Sequence, residues 1–379
     1  MNVGLLPALG SGLGDLAATG QVARLVDGYF RPYAHAFERV YYVSYLPETL
    51  ACFTPDTALA ERVTVLAPPR PTWRGWRALT IPFVHDAELR RCAVLRVFQL
   101  TGVVPALIAR ARFGTPYVTT YGFSYGLLSR PGPTRVMKSA LERIGLRRAA
   151  AVIATTDALC RRAAAFGARA HLVPNGVDTE RFAPSGEDHR RTDERRVLYV
   201  GRLSAEKNVS AVIAAIGKLR SDVAVRLVVA GDGPLRDRLL AEARDAGVML
   251  EWLGVVPQPA LPDVYRSADA FVLASFTEGH PKALVEGMAA GLPCVVSDCE
   301  GNRSLVTDGV TGLVFDARRP DELAAQLRRV LTDGDLARAL GDAARATAVE
   351  RYDLGTMVAR EIELLHRVAG VSPVPAVSR

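Results

Sequence analysis

The sequence predicts an α/β protein built from two doubly wound parallel-sheet domains, and three observations carry that expectation. Short β-branched runs alternate with longer stretches of helical period, as in βαβ units. The alternation restarts midway, after PNGVDTERFAPSGEDHRRTDERR, where Pro174, Asn175, Gly176, Pro184 and Gly186 interrupt any regular element. A length of 379 residues also exceeds one ordinary core.

Taken in chain order, the strand candidates of the first series are Asn2 to Leu6, Arg39 to Val43, Val63 to Leu66, Val94 to Gln99, Tyr117 to Thr120, Ala151 to Ala154 and His171 to Val173. The second series comprises Arg196 to Val200, Val225 to Ala230, Met249 to Trp252, Ala270 to Ala274 and Cys294 to Ser297, with helices such as Leu235 to Ala246 and Pro281 to Ala290 between them. A last helix, RYDLGTMVAREIELLHRV, repeats apolar residues at helical spacing (Met357, Ile362, Leu364, Leu365) and so needs a surface to cover. The expected boundaries are residues 1–176 and 177–351 for the domains, about 352–370 for the last helix and 371–379 for a tail, VSPVPAVSR, too rich in proline and small residues to pack. Open α/β sheets bind ligands beyond the C-terminal ends of their strands, so the active site is expected in a cleft where two such sheets face each other.

Composition narrows the function classes. Five scattered cysteines without a Cys-x-x-Cys indicate neither a disulfide framework nor a structural zinc site. The first residues, MNVGLLPALGSG, lack a basic n-region and a long apolar run, and no stretch approaches a bilayer's thickness, so a cytoplasmic location is expected. The formal charge of +7 is concentrated: between Arg130 and Arg169 nine cations face only Glu142 and Asp157. Such a run is either a solvated helical face or a surface for anionic lipid at the inner face of a membrane; a nucleic-acid partner is not expected.

After the first strand comes ALGSGLGD, with Gly10, Gly12 and Gly14. A dinucleotide fingerprint needs its third glycine where Asp15 stands, and the second candidate, AGDGPLRD, puts Arg236 there. An NAD-dependent dehydrogenase is therefore a poor match. Glycines after a strand still let the backbone approach a ligand, and the following helix start offers N–H groups to an anion.

In the second series, YVGRLSAEKN sets Arg202 and Lys207 beyond a strand's C-terminal end, a fork and a mobile point charge suited to a diphosphate. SFTEGHPKALVE then places Glu278 in the loop above a strand and Glu286 in the second turn of a helix expected to begin at Pro281. Free N–H groups around Lys282 and Ala283 form a place for phosphate. The two carboxylates bracketing it suit hydroxyl groups, such as the sugars on either side of a nucleotide sugar's diphosphate.

The order GRLSAEKN, AGDGP, EGHPKALVE and GMAAGLPCVVS resembles the family-4 retaining glycosyltransferases of the GT-B fold, whose two Rossmann-like domains face across a cleft, and PNGVD looks like their inter-domain hinge. The resemblance covers nearly all of the second half and is looser over the first. It implies that Arg202 and Lys207 hold the donor diphosphate, that Glu286 binds the ribose and that Glu278 contacts the transferred sugar. It implies further that the backbone of Gly279, His280, Pro281, Lys282 and Ala283 lines sugar and phosphate, that Gly12 and Gly14 approach the donor from the first domain, and that the last helix crosses back onto that domain. Transfer without a bound metal or other cofactor is implied, from a nucleoside-diphosphate sugar to a hydroxyl acceptor that is lipid-linked, a saccharide or a small metabolite. Arg, Lys and a helix start can stabilise a departing diphosphate, and a front-face route is implied because no carboxylate nucleophile stands out for double displacement.

Two departures from that family are visible. VTTYGFSY puts Tyr121 where a histidine is common, which marks it as an unusual sugar or acceptor contact, and Ser304 stands where glutamate is common. PRPTWRGWRALTIPF sets Trp73 and Trp76 among Arg70, Arg74 and Arg77; the indoles could stack on an acceptor sugar, sit at a membrane interface or bury themselves. A nucleotide-sugar epimerase of the same architecture and a non-catalytic nucleotide-sugar binder are the rival readings.

Overall fold

The computed structural model describes residues 1–70, 73–124, 132–184 and 194–370. The tail 371–379, Arg130 and Gly186 lie outside them. The chain divides into two compact units: the first holds Met1–Pro174 and the chain from Met357 onward, the second Asn175–Thr356.

The first unit is built on seven parallel strands: β1 (Asn2–Leu6), β2 (Arg39–Val43), β3 (Val63–Leu66), β4 (Cys92–Val97), β5 (Tyr117–Tyr121), β6 (Ala151–Ala154) and β7 (Ala170–Leu172). They lie in the order β3-β2-β1-β4-β5-β6-β7, so the chain runs outward from β1, crosses back and continues from β4. β4 starts earlier than its β-branched core suggests because Cys92 already pairs with Asn2, ahead of a shift in register. The helices Arg74–Val84, Val103–Phe113 and Pro133–Arg148 follow β3, β4 and β5 and form one layer, in which the middle helix packs against both others.

From Met357 the helix Leu354–Val368 belongs to this first unit. Met357, Leu364 and Leu365 are buried as their spacing requires, whereas Ile362 is only half-buried and the buried face also takes in Glu361 and His366. Glu361 accepts a hydrogen bond from Arg96 Nη2 of β4 at 2.7 Å and another from the Tyr33 hydroxyl. A buried carboxylate is tolerated only with such partners.

The second unit carries six parallel strands: β8 (Arg195–Val200), β9 (Val225–Ala230), β10 (Met249–Gly254), β11 (Ala270–Leu273), β12 (Cys294–Ser297) and β13 (Leu313–Phe315), ordered β10-β9-β8-β11-β12-β13. β11 and β12 are buried along their whole length, as strands covered on both faces must be, and read as unbroken apolar runs. The edge strand β10 exposes Met249 and Trp252. β13 was not among the strands expected from the sequence. Among the described residues no helix is long and apolar enough to cross a membrane.

Candidate active site

Strand order reverses between β8 and β11, and the loops leaving these neighbouring strands bring Lys207 and Glu278 together. From β8 the chain passes Gly201 and Arg202 into a short 3-10 turn, Ala205–Lys207. Asn208 then takes a left-handed conformation, φ 53°, unusual for a residue other than glycine. Its side-chain amide donates to the carbonyls of Ala274 (3.3 Å) and Ala317 (2.9 Å), which fixes the turn against the β11 loop. The Phe276 N–H donates to the Glu206 carbonyl at 2.9 Å and adds a second tie.

These ties aim Lys207 at Glu278, with Nζ 2.6 Å from Oε1. The Ser275 hydroxyl donates to the same oxygen at 2.6 Å. Glu278 is buried while Lys207 keeps partial access to solvent, so the pair is a charge-assisted bond at the rim of the protein interior. Arg202 is exposed, and among the described residues no ion pair holds its guanidinium. Its carbonyl accepts from the Tyr199 hydroxyl at 2.9 Å, an anchor beneath the loop.

The glycines of AGDGP are explained by packing. A Cβ on Gly231 would lie 2.0 Å from the Gly201 carbonyl oxygen, and one on Gly233 would lie 2.4 Å from that of Leu203, so the β9 loop passes directly over the β8 loop. A Cβ on Gly301 would likewise meet the carbonyls of Glu278 and Gly279 at 2.5 Å, so the Cys299–Ser304 segment supports the peptide that carries the carboxylate.

The helix after β11 spans Lys282–Ala289. Pro281, the expected first residue, is instead its N-cap with ψ 113°, so the helix starts one place later than expected because an extended residue leads into the first turn. Lys282 is exposed, Ala283 and Gly279 are half-buried, and Pro281 is buried. Glu286 is buried, and the Tyr265 hydroxyl, 3.0 Å away, donates to its Oε2. His280 is buried edge-on against Tyr352, with ring centroids 5.3 Å apart, and neither ring nitrogen has a hydrogen-bond partner among the described residues. Burial pushes its pKa down to about 4, so its imidazole is neutral. The carbonyl of His280 accepts from Asn175 Nδ2 at 2.9 Å. Asp333, of the chain's Asp-x-Asp, caps the following helix by accepting from the Leu336 N–H, and Asp335 pairs with Arg338.

In the first unit the glycine loop meets a carboxylate of its own chain. Glu48 accepts from the N–H groups of Leu13 (2.6 Å) and Gly14 (2.8 Å) and from the Ser44 hydroxyl (2.5 Å), while the Gly12 N–H donates to Asp15 at 3.1 Å. A Cβ on Gly12 would sit 2.6 Å from Glu48 Oε1. The amides expected to face a donor phosphate are thus engaged by Glu48, and close approach of that side chain accounts for the glycine at 12.

Tyr121 is also placed differently from the expectation of a sugar contact. It is buried, and its hydroxyl donates to Glu142 Oε1 at 2.5 Å and accepts from Arg162 Nε at 2.9 Å. Burial first, then the Glu142 carboxylate, pushes the phenol up to about 12. It ties β5 to the Pro133–Arg148 helix and presents nothing to a ligand. Trp73 and Trp76 are 77% and 61% exposed, which removes the buried alternative for them. Arg77 is the buried member of that stretch, donating to the carbonyls of Ser44 and Leu66 at 3.1 Å each.

The chain's likeness to known proteins agrees with this geometry. Residues 184–347 match the family described as glycosyl transferases group 1, and residues 39–181 match glycosyltransferase family 4. A GDP-mannose-dependent alpha-(1-6)-phosphatidylinositol monomannoside mannosyltransferase of Mycolicibacterium smegmatis is 30% identical over 321 residues, 80% of this chain and 82% of the relative. Among solved structures, sucrose-phosphate synthase of Thermosynechococcus elongatus superposes with a TM-score of 0.80 at 21% identity, over 98% of this chain and 99% of that one. Anabaena HepE, solved with UDP and glucose, superposes with a TM-score of 0.76 at 21% identity, over 97% and 100%.

Proposed function

This chain belongs to the family-4 glycosyl transferases of the GT-B fold, and from that premise we propose that it moves a sugar from a nucleoside-diphosphate sugar to a hydroxyl acceptor with retention of anomeric configuration. The observation that carries the proposal is the Lys207–Glu278 contact of 2.6 Å at the reversal of strand order. A cation for the leaving diphosphate and an acceptor for sugar hydroxyls stand there side by side. The name of the M. smegmatis relative and the UDP bound to HepE support a nucleotide sugar as donor.

In this scheme Arg202 and Lys207 take up the charge that grows on the departing diphosphate, together with the backbone amides at the start of the Lys282–Ala289 helix. Such groups matter more in the transition state than in the ground state, so they raise turnover rather than affinity alone. Glu278 accepts from hydroxyls of the transferred sugar, and Glu286, steadied by Tyr265, accepts from the ribose. The bond between the anomeric carbon and the phosphate oxygen breaks as the acceptor oxygen adds on the same face. The acceptor proton passes to the departing phosphate oxygen. Positive charge from side chains and amides fills the role that a metal ion plays elsewhere, so the scheme uses no metal.

The test is a panel of nucleotide sugars, including GDP-mannose and UDP-glucose, incubated with hydroxyl acceptors while free nucleoside diphosphate and the anomer of the product are followed by NMR. Acceptor-dependent release with a retained anomer is expected, in the presence of a metal chelator as in its absence. An inverted product, an isomerised donor formed without acceptor, or activity abolished by the chelator would contradict the proposal.

A further inference from the structure

The Arg74–Val84 helix is apolar on both sides. Ala78 and Ile81 face the core, yet Trp76, Leu79, Phe83 and Val84, with Trp73 at the N-cap, face outward and are exposed. A surface helix of a water-soluble domain should be polar on that side. Across the intervening helix Val103–Phe113, the helix Pro133–Arg148 repeats the pattern, exposing Val136, Met137 and Ile144 on one stripe. The layer also lacks exposed negative charge: its three helices contain a single acid, Glu142, and that side chain is buried against Tyr121. Lys138, Arg143 and Arg147 are exposed on the same helix as the second apolar stripe.

We propose that this three-helix face is a docking surface for an anionic phospholipid bilayer. Indole rings prefer the boundary between headgroups and acyl chains, aliphatic side chains enter the acyl region, and Lys138, Arg143 and Arg147, which no carboxylate among the described residues holds in an ion pair, meet the lipid phosphates. The chemistry selects this occupant over two others. A second copy of the chain meeting the face about a twofold axis would set cations against cations. A nucleic acid would satisfy the cations but leave Val136, Met137, Ile144 and Val84 against water. The proposal goes beyond the glycosyltransferase reading and needs no catalysis, so either can fail without the other.

Co-sedimentation of the full chain with vesicles tests it, comparing phosphatidylcholine alone with equal parts of phosphatidylcholine and phosphatidylglycerol. Binding to the anionic vesicles, weakened by salt and accompanied by a blue shift of tryptophan emission, is expected. Trp73→Ala with Trp76→Ala should lower the partition coefficient at least about tenfold and remove the blue shift. Lys138→Ala, Arg143→Ala and Arg147→Ala should lower it about fivefold per cation. These side chains are exposed, so unchanged thermal melting of the variants separates lost docking from lost folding. The proposal is overturned by absent binding, by equal binding to neutral vesicles or by variants that bind as the native chain does. A polynucleotide that binds in place of lipid, or a dimer that buries the tryptophans, overturns it as well.

Discussion

At the scale of single residues, the proposed donor site assigns Lys207 and Glu286 different tasks. Lys207→Ala is expected to lower kcat about 10²- to 10³-fold while the donor KM changes little, since its charge is needed most when the diphosphate leaves. Glu286→Ala should instead raise the donor KM about tenfold or more with a smaller effect on kcat, because ribose contacts are made equally in ground and transition states. Steady-state kinetics on both variants checks the split. His280 gives a pH dependence whose sign follows from its depressed folded pKa of about 4. Between pH 4 and its unfolded value of about 6.5 the unfolded chain binds a proton that the native chain does not, so stability falls as pH drops through that window. The loss is roughly 3 kcal/mol when complete, and His280→Phe should abolish it in urea melts across pH. The placement of Arg202 and Lys207 after β8 and of Glu278 after β11 was legible in the sequence because those strands are recognisable. Tyr265 and Asn208 were not, because only the fold brings their distant partners near, and Ser275 was missed although its partner Glu278 lies in the same loop. The partners of Tyr121 were not legible either, because a strand end fixes a residue's height in the sheet but not what its hydroxyl meets.

At the scale of elements, most strands were legible from their apolar runs. β1, β2, β3, β6, β9 and β12 occupy the residues that their apolar runs mark out, whereas β13 was missed. Glycine runs were harder to interpret, since the sequence shows a need for close approach without showing what approaches. At Gly12 it is Glu48, and at Gly231 it is the carbonyl of Gly201. Gly231 also has φ 142°, which a side chain tolerates poorly. Gly231→Ala is therefore expected to destabilise the second unit by about 2 kcal/mol or more, read as a lower urea midpoint. Lys207 and Glu278 depend on the loop beneath, so its turnover should fall even at temperatures where it stays folded.

For the whole molecule, the chain's return to its first unit after Thr356 rests on charge as well as apolar burial. Glu361 sits between Arg96 and Tyr33, all three buried. Periodicity announced the helix and three of its apolar contacts, but a carboxylate on the covered face cannot be read from a hydrophobic pattern. Removing it leaves the buried Arg96 guanidinium without its counter-charge, so Glu361→Ala should cost about 3–5 kcal/mol and lower Tm by several degrees in calorimetry. The assignment of the donor site is tested most directly by a crystal structure of the chain soaked with an activated sugar. The account predicts the diphosphate against Arg202, Lys207 and the amides at the start of the Lys282–Ala289 helix, with Glu278 on the transferred sugar and Glu286 on the ribose. A nucleotide sugar bound with both glutamates out of contact would contradict it.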